Sequence, residues 1–65
     1  MLNLTLIENF NAIAEIIIKD KNKRITKIDE LINKFQLNNL LNIKAKYLSG
    51  GQKRKLVISL ALLGE

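Results

Sequence analysis

The chain has 65 residues, enough for one small domain, and a domain of this size buries only about 60% of the surface that its unfolded chain exposes. It contains no Cys and no His, which excludes disulfides, Cys/His zinc sites and catalysis by either side chain. The net charge of +5 is uneven, because residues 1–33 carry five cations and five anions whereas residues 34–65 carry six cations and one anion.

Hydrophobic residues make up 48% of the chain, Pro is absent and Gly occurs three times, which predicts a mostly helical, packed segment. The basic surplus attracts anionic partners, among which nucleotides, nucleic acids and acidic membrane surfaces all qualify. No apolar run approaches the roughly 20 residues of a membrane-spanning helix. We therefore expect this segment to be soluble and to bind no metal of its own.

The first helix is predicted from about residue 6 to residue 18. Thr5 and Glu8 have the spacing of a capping box, in which two side chains satisfy free amides at a helix start. The β-branched run 16–18 also fits a strand, but the cap and the helical period favour a helix. Leu2 and Leu4 are expected in an extended lead-in. The helix stripe comprises Leu6, Phe10, Ile13, Ala14, Ile17 and Ile18.

The polar residues 19–24 are predicted to form a solvated turn before a second helix from about 24 to 35. A short helical turn is expected at 38–41, with Asn38 as its cap. Tyr47 is interpreted as a core residue, with stacking on a base as the other possibility. The apolar stripe of the second helix, which is expected to pack on the first, comprises Ile25, Ile28, Leu31, Ile32 and Phe35.

A third helix is predicted from about 50 to 63, and Ser49 and Gln52 form a second capping box at its start. Gly50 and Gly51 leave the backbone amides bare, and the helix dipole adds positive potential, so this start is a candidate anion site. The basic residues 53–55 fill its first turns, where each cation costs roughly 0.3–1 kcal/mol. A bound negative charge would offset that cost. An ordinary capped helix with a solvated basic face is the structural alternative.

The apolar surface of the third helix is nearly circumferential. Such a helix must be buried on more than one face, and a chain of this length is too small to cover it, so a missing partner surface is predicted. Gly64 suits the C′ position at its end. One side of the helix is predicted to carry Val57, Leu60, Ala61 and Gly64, with Leu56 and Leu63 beside them.

The complete sequence Leu48-Ser49-Gly50-Gly51-Gln52, followed by basic residues and an apolar helix, resembles the signature motif of the ATP-binding cassette (ABC) ATPases. Upstream, residues 4–9 are similar to the segment that follows the glutamine loop in this family, and residues 28–37 resemble its second helix and the next turn. Residues 53–65 look most like the lipid-exporting A subfamily and related bacterial drug exporters. The resemblance covers nearly the whole chain.

The resemblance implies an all-α fold, a small bundle of three main helices that forms the helical subdomain of an α/β P-loop ATPase domain. Residues 1–65 would be a partial ABC ATPase domain, because three glycines allow no Walker A loop and no apolar strand ends in Asp-Glu as Walker B does. The segment alone is therefore not expected to hydrolyse ATP. Parts of the parent protein outside it would bind Mg²⁺.

In this family the signature of one domain closes over ATP held by the opposite domain, in a head-to-tail dimer. The resemblance implies that Ser49 donates to the γ-phosphate, that Gly50 and Gly51 belong to the same ATP-binding motif with Gly51 offering its amide, and that Gln52 orients the loop near the ribose. The supporting residues would be Leu48, Lys53 and Arg54.

The implied partners are a second nucleotide-binding domain and the transmembrane domains of a transporter, at the cytoplasmic side of a membrane. The alternative is a free-standing basic helical module that binds nucleic acid or acidic partners. Nucleic acid is the less favoured of these, because the basic half has few aromatic side chains on which bases stack.

Overall fold

A computed structural model describes all 65 residues as three α-helices, with two short 3₁₀ turns between the second and the third. The helices are α1 (Leu6–Ile17), α2 (Lys21–Lys34) and α3 (Gly50–Leu62), and the 3₁₀ turns span Asn38–Leu40 and Ala45–Tyr47. The one extended pairing is an isolated bridge between Thr5 and Lys44. The predicted all-α bundle of three main helices is confirmed. None of these helices combines the length and the apolar character needed to cross a membrane.

Helix α1 begins where the capping box predicts. The Thr5 amide donates to Glu8 Oε1 at 2.8 Å, and the Glu8 amide donates to Thr5 Oγ1 at 3.2 Å. The lead-in differs from the expected extended form, because the Leu4 amide donates to the Met1 carbonyl at 3.2 Å and closes a turn.

Helix α2 begins at Lys21, so the prediction that 19–24 is a solvated turn is wrong. Asp20 is the N-cap, and its Oδ1 accepts hydrogen bonds from the amides of Asn22 (2.9 Å) and Lys23 (3.1 Å). The apolar stripe placed the start too late because the first turn of this helix is polar. An Asp cap marks a helix start whether or not apolar residues follow at once.

Helix α2 ends on a left-handed residue. Gln36 has φ of 57°, its amide donates to the Asn33 carbonyl at 3.2 Å, and the Leu37 amide donates to the Ile32 carbonyl at 2.9 Å. These two bonds make a Schellman motif, which satisfies carbonyls that the helix leaves free. Leu37 then enters the core and occupies the cap position of the first 3₁₀ turn, so the prediction of Asn38 as that cap is wrong.

The core lies between the three helices and the connection that leads to α3. The connection, residues 35–49, contributes Leu37 and Leu48 to this core, so it is packed against the helices. Ile17 and Ile25 lie at the exposed edges of their predicted stripes. The buried cluster comprises Leu6, Phe10, Ala14, Ile28, Leu31, Ile32, Leu37, Ala45, Leu48, Leu56 and Leu63.

One prediction about burial is wrong. Tyr47 is 70% exposed, because the second 3₁₀ turn directs Ala45 and Leu48 inward and leaves the tyrosine outside. Helix α3 turns Leu56, Ser59 and Leu63 toward the core, whereas Val57 is 64% exposed. Periodicity did not reveal which face of this helix points inward, because apolar residues surround most of it.

Candidate functional site

The candidate site is the start of α3 together with the residue that anchors it. Leu48 is buried, and its amide donates to the Ala45 carbonyl at 3.1 Å. Ser49 follows as the N-cap with an extended backbone (φ −65°, ψ 166°), and Gly50 is the first helical residue. The predicted site residues therefore form one continuous segment from Leu48 to Arg54, which is anchored in the core at Leu48.

The predicted capping box at α3 is confirmed. The Gln52 amide donates to Ser49 Oγ at 3.1 Å, and the Ser49 amide donates to Gln52 Oε1 at 2.9 Å. This pair fixes the Ser49 hydroxyl at the helix start. Since the oxygen acts here as an acceptor, the hydroxyl hydrogen remains available to donate to a ligand.

Two backbone amides at the start of α3 have no partner in the chain. The Lys53 amide makes the first backbone hydrogen bond of the helix, to the Ser49 carbonyl at 2.8 Å. The Gln52 amide donates to the Ser49 hydroxyl in the capping box. The amides of Gly50 and Gly51 remain, and both glycines are exposed. The site therefore presents two free N–H donors beside one hydroxyl.

Nothing in the chain itself requires glycine at these positions. Neither Gly50 nor Gly51 has a positive φ, and a Cβ added to either would meet no atom within 4 Å. Glycine inside a helix costs about 0.5–1 kcal/mol relative to alanine. The local fold leaves this pair unexplained, whereas a group that approaches the backbone closely would explain it.

The electrostatic surroundings of the site are positive. The first turn of α3 has no acidic residue, and Lys53, Arg54 and Lys55 follow the glycines directly. Lys46 precedes Leu48 by two residues, and its Nζ lies 5.2 Å from the centre of the exposed Tyr47 ring. These cations add to the positive end of the helix dipole. The arrangement suits an anion with several acceptor oxygens.

The structure shows one buried polar residue next to the segment leading to this site. It is the last residue of the segment 4–9 that resembles the family, and the sequence interpretation gave it no role of its own. Asn9 is 1% exposed, and its Nδ2 donates to the carbonyls of Met1 (3.0 Å), Thr5 (2.9 Å) and, more weakly, Leu4 (3.4 Å). The available signal was its position on α1, three residues after Leu6 and next to Phe10. A polar side chain at a buried helical position requires hydrogen-bond partners.

The structure has no group of three or more acidic, Cys or His side chains that could hold a metal ion. The largest cavity, about 530 Å³, lies away from residues 48–54, between the end of α1, the start of α2 and residues 63–65. A smaller apolar groove of about 180 Å³ runs beside α3, and Leu2, Lys53 and Val57 contribute to its walls. The start of α3 is itself an open surface, which a second molecule can reach.

Comparison with known proteins identifies relatives along nearly the whole chain, although no protein-family model matches it. The chain is 37% identical over 65 residues to "ABC transporter A family member 11" of Dictyostelium discoideum, covering 97% of this chain and 8% of that protein. It is 34% identical over 59 residues to an uncharacterized ABC transporter ATP-binding protein of Rhizobium meliloti (strain 1021), covering 91% of this chain and 22% of the relative.

A third relative is "ATP-binding cassette sub-family A member 10" of Homo sapiens, which is 36% identical over 62 residues, or 95% of this chain and 4% of that protein. The chain thus spans less than a quarter of the length of each of these relatives. The similarity concerns one segment of much longer proteins.

Proposed function

The chain corresponds to a segment of the ABC transporter ATPases, members of the A subfamily among them, and we propose on that premise that it supplies the signature motif to an ATP site. The other part of the site is a Walker A loop on a second nucleotide-binding domain, arranged head-to-tail. The parent protein hydrolyses ATP and couples hydrolysis to transport through transmembrane domains, so the segment works at the cytoplasmic side of a membrane.

The observation that carries this proposal is the pair of bare, unpaired amides at Gly50 and Gly51. A γ-phosphate offers several oxygen acceptors, and the Ser49 hydroxyl and the glycine amides offer donors on one surface. Because the glycines lack side chains, the phosphate can approach the backbone directly. A partner at this surface accounts for glycines that the chain itself does not need.

The remaining site residues support these donors. Gln52 holds the Ser49 amide, and thereby the position of the hydroxyl, through a 2.9 Å hydrogen bond. Leu48 anchors the loop in the core, while Lys53 and Arg54 contribute positive potential. Such donors stabilise charge and position the phosphoryl group without covalent chemistry. Mg²⁺ and the groups that orient the attacking water belong to other parts of the parent protein.

A Gly51→Asp change in the intact parent protein tests the proposal. The new side chain has free space in this chain, and an acidic group at a helix start is favoured by the dipole, so the fold is retained. The carboxylate would repel the γ-phosphate and occupy its place. We expect ATP binding to the open monomer to persist, whereas nucleotide-driven dimerisation and turnover are lost.

The matched control is Asn22→Asp, which places the same acid at the second position of α2, far along the chain from the signature. It should leave turnover within about twofold of the unchanged protein, as expected for an exposed substitution. Retained turnover in Gly51→Asp would reject the proposed site. A joint loss of melting temperature and ATP binding would instead indicate a structural role for Gly51.

A second candidate function, binding of single-stranded nucleic acid, is favoured by one observation. Tyr47 is 70% exposed, and Lys46 Nζ lies 5.2 Å from the centre of its ring. Stacking of a base on an aromatic ring contributes about 1–3 kcal/mol in single-strand binders. Fluorescence titration with a labelled oligonucleotide tests it, because a Tyr47→Ala change should weaken such binding and leave ATP turnover of the parent unaffected.

A further inference from the structure

We propose that Asn9 is a positioning residue for the signature segment, residues 48–52, and this inference rests on the proposed function of that segment. Asn9 lies on α1, and only one other polar residue, Ser59, is as deeply buried. The Ser59 hydroxyl satisfies itself within α3 by donating to the Leu56 carbonyl at 2.9 Å. Asn9 differs because its hydrogen bonds leave its own helix and reach the segment that precedes it.

The Asn9 side chain fixes the residues before α1. Its Nδ2 donates to the carbonyls of Met1 and Thr5 at 3.0 and 2.9 Å, with a longer third contact of 3.4 Å to the Leu4 carbonyl. All three partners are acceptors, so the amide nitrogen, not the oxygen, must face them. Two good hydrogen bonds from a buried amide hold residues 1–5 in one conformation.

In that conformation, backbone carbonyls of residues 1–5 accept hydrogen bonds from the residues that lead to the signature. The Leu4 carbonyl accepts from the Ala45 amide at 2.9 Å, and the Leu2 carbonyl accepts from the Lys46 amide at 3.1 Å. The Leu4 carbonyl is thus shared between Asn9 and Ala45. Side chain, lead-in and connection form one hydrogen-bonded series.

Two further bonds extend this contact along the start of α1, from the Leu6 amide to the Ile43 carbonyl (3.0 Å) and from the Ile7 amide to the Leu41 carbonyl (3.1 Å). Residues 41–46 therefore lie along residues 2–7. The Leu48 amide donates to the Ala45 carbonyl. Ser49 therefore lies only four residues after Ala45, whose amide is bonded to the Leu4 carbonyl that Asn9 also contacts. Four backbone hydrogen bonds thus join the residues that lead to the signature to the lead-in and the start of α1.

An Asn9→Leu change in the intact parent protein removes the donors and keeps a side chain of similar size. We expect hydrogen exchange of the amides in residues 43–48 to rise about tenfold, because the carbonyls that accept from Ala45 and Lys46 are no longer held in place, while α2 stays protected. Turnover should fall about tenfold or more, as expected when a group that contacts the phosphate is misplaced, with ATP affinity of the monomer unchanged.

Asn11→Leu is the matched control, since Asn11 lies on the same helix, is exposed and makes no side-chain hydrogen bond within the chain. It should change neither exchange at 43–48 nor turnover. Ser49→Ala serves as the reference for the proposed function. If Ser49→Ala abolishes turnover but Asn9→Leu leaves it within twofold, the role of Asn9 is rejected and the proposed function stands.

If Ser49→Ala leaves turnover intact, the proposed function is rejected and the role of Asn9 falls with it. If Asn9→Leu raises exchange in all three helices and weakens ATP binding, its role is general stability and the inference is overturned. Should Asn9→Leu fail to fold, Asn9→Ser decides, because its hydroxyl can still reach the Thr5 carbonyl but not those of Met1 and Leu4. If Asn9→Ser lowers turnover partially and raises hydrogen exchange only at residues 43–48, the inference is supported. If Asn9→Ser changes neither turnover nor exchange, the inference is overturned.

Discussion

At the scale of single residues, Gly50 and Gly51 differ from the core residues because contacts within the chain do not explain their identity. Elsewhere in the chain a side chain can be explained by what it touches, as with Phe10 and Leu37, which are fully buried. A Cβ added to either of these two glycines would meet no atom within 4 Å, and neither has a positive φ. Under the proposed function, their identity reflects a contact outside this chain, which physical analysis of the fold alone would miss.

Replacing either glycine by alanine should separate stability from function. In the isolated chain we expect Gly50→Ala and Gly51→Ala to leave the free energy of unfolding unchanged or to raise it by up to about 1 kcal/mol, because alanine restricts the unfolded chain and suits a helix. Urea denaturation measures this. In the parent protein the same changes should lower ATP turnover, since a Cβ now stands in front of the amides.

Gly64→Ala is the control, because its Cβ would make only an ordinary contact of 3.9 Å with Ile17, away from the site. Turnover should be unaffected by it. If Gly50→Ala and Gly51→Ala destabilise the chain as much as they lower turnover, the glycines serve the fold and the argument from their empty surroundings is wrong.

At the scale of elements, sequence patterns predict helix starts better than they predict helix faces. The capping boxes of α1 and α3 identified both starts correctly, because the box is a local interaction that depends on residues three apart. The inward face of α3 was not predictable, since apolar residues surround it and the choice depends on where α1 and α2 lie. Tyr47 was misplaced for a similar reason, because a 3₁₀ turn has no apolar period that a sequence can show.

The signature residues were predictable as a motif, and their geometry as a capped helix start is confirmed. The role of Asn9 was not predictable, although its place next to Phe10 on α1 was a signal of burial, because its partners are backbone carbonyls, which leave no pattern in the sequence. Its role depends on the pairing of residues 2–7 with residues 41–46, which are distant along the chain. Long-range pairing of this kind is visible only in the folded structure.

The end of α2 offers a test of element stability. Gln36 has φ of 57°, a conformation that costs a residue with a Cβ roughly 1–2 kcal/mol and that glycine adopts freely. We therefore expect Gln36→Gly to raise the free energy of unfolding by about 1 kcal/mol, although glycine also loses more entropy on folding. Thermal denaturation measures the change. A β-branched Gln36→Val should be destabilising, and equal effects of the two changes would contradict the assigned geometry.

The two capping boxes should respond differently to pH. The Thr5 amide, donating to Glu8 Oε1 at 2.8 Å, is the main cause that holds the pKa of Glu8 below its ordinary value, with the Thr5 hydroxyl and the charge of Lys44 acting in the same direction. A lowered pKa in the folded state means that protonation opposes folding. The contribution of this capping box to the free energy of unfolding is therefore present at neutral pH and is lost as the pH falls through the acidic range.

The variant that isolates this effect is Glu8→Gln, which keeps an acceptor at the same position but does not titrate. Comparing the melting temperatures of the two chains from pH 7 downward should show a steeper loss in the chain with Glu8. The other carboxyl groups titrate in both chains and cancel in the difference. The box at α3 has Gln52 in the corresponding position and should show no such dependence. Parallel curves would contradict the assignment to Glu8.

At the scale of the whole molecule, the positive charges are concentrated in the second half of the chain, but the molecule is so small that no charge lies far from the others. Residues 34–65 carry six cations and one anion, and the molecule measures only 31 × 22 × 17 Å. The Debye length is about 30 Å at 0.01 M salt and about 8 Å at 0.15 M. In dilute salt each cation therefore repels others across the whole molecule, whereas at physiological ionic strength only neighbours interact.

We therefore expect the isolated chain to become more stable as NaCl is raised from about 0.01 M to about 0.15 M, because screening removes more repulsion than attraction in a protein with this charge surplus. Lys55→Glu lowers the net charge from +5 to +3 within the basic cluster, where Arg54 and Lys53 are neighbours, and should flatten the salt dependence. Lys19→Glu makes the same change in net charge in the balanced half and should flatten it less, since Asp20 adjoins it. Urea midpoints at the two salt concentrations measure all three chains. Stability that falls with added salt would show that favourable ion pairs outweigh the repulsion around the start of α3, and would remove the electrostatic reason for expecting an anionic partner there.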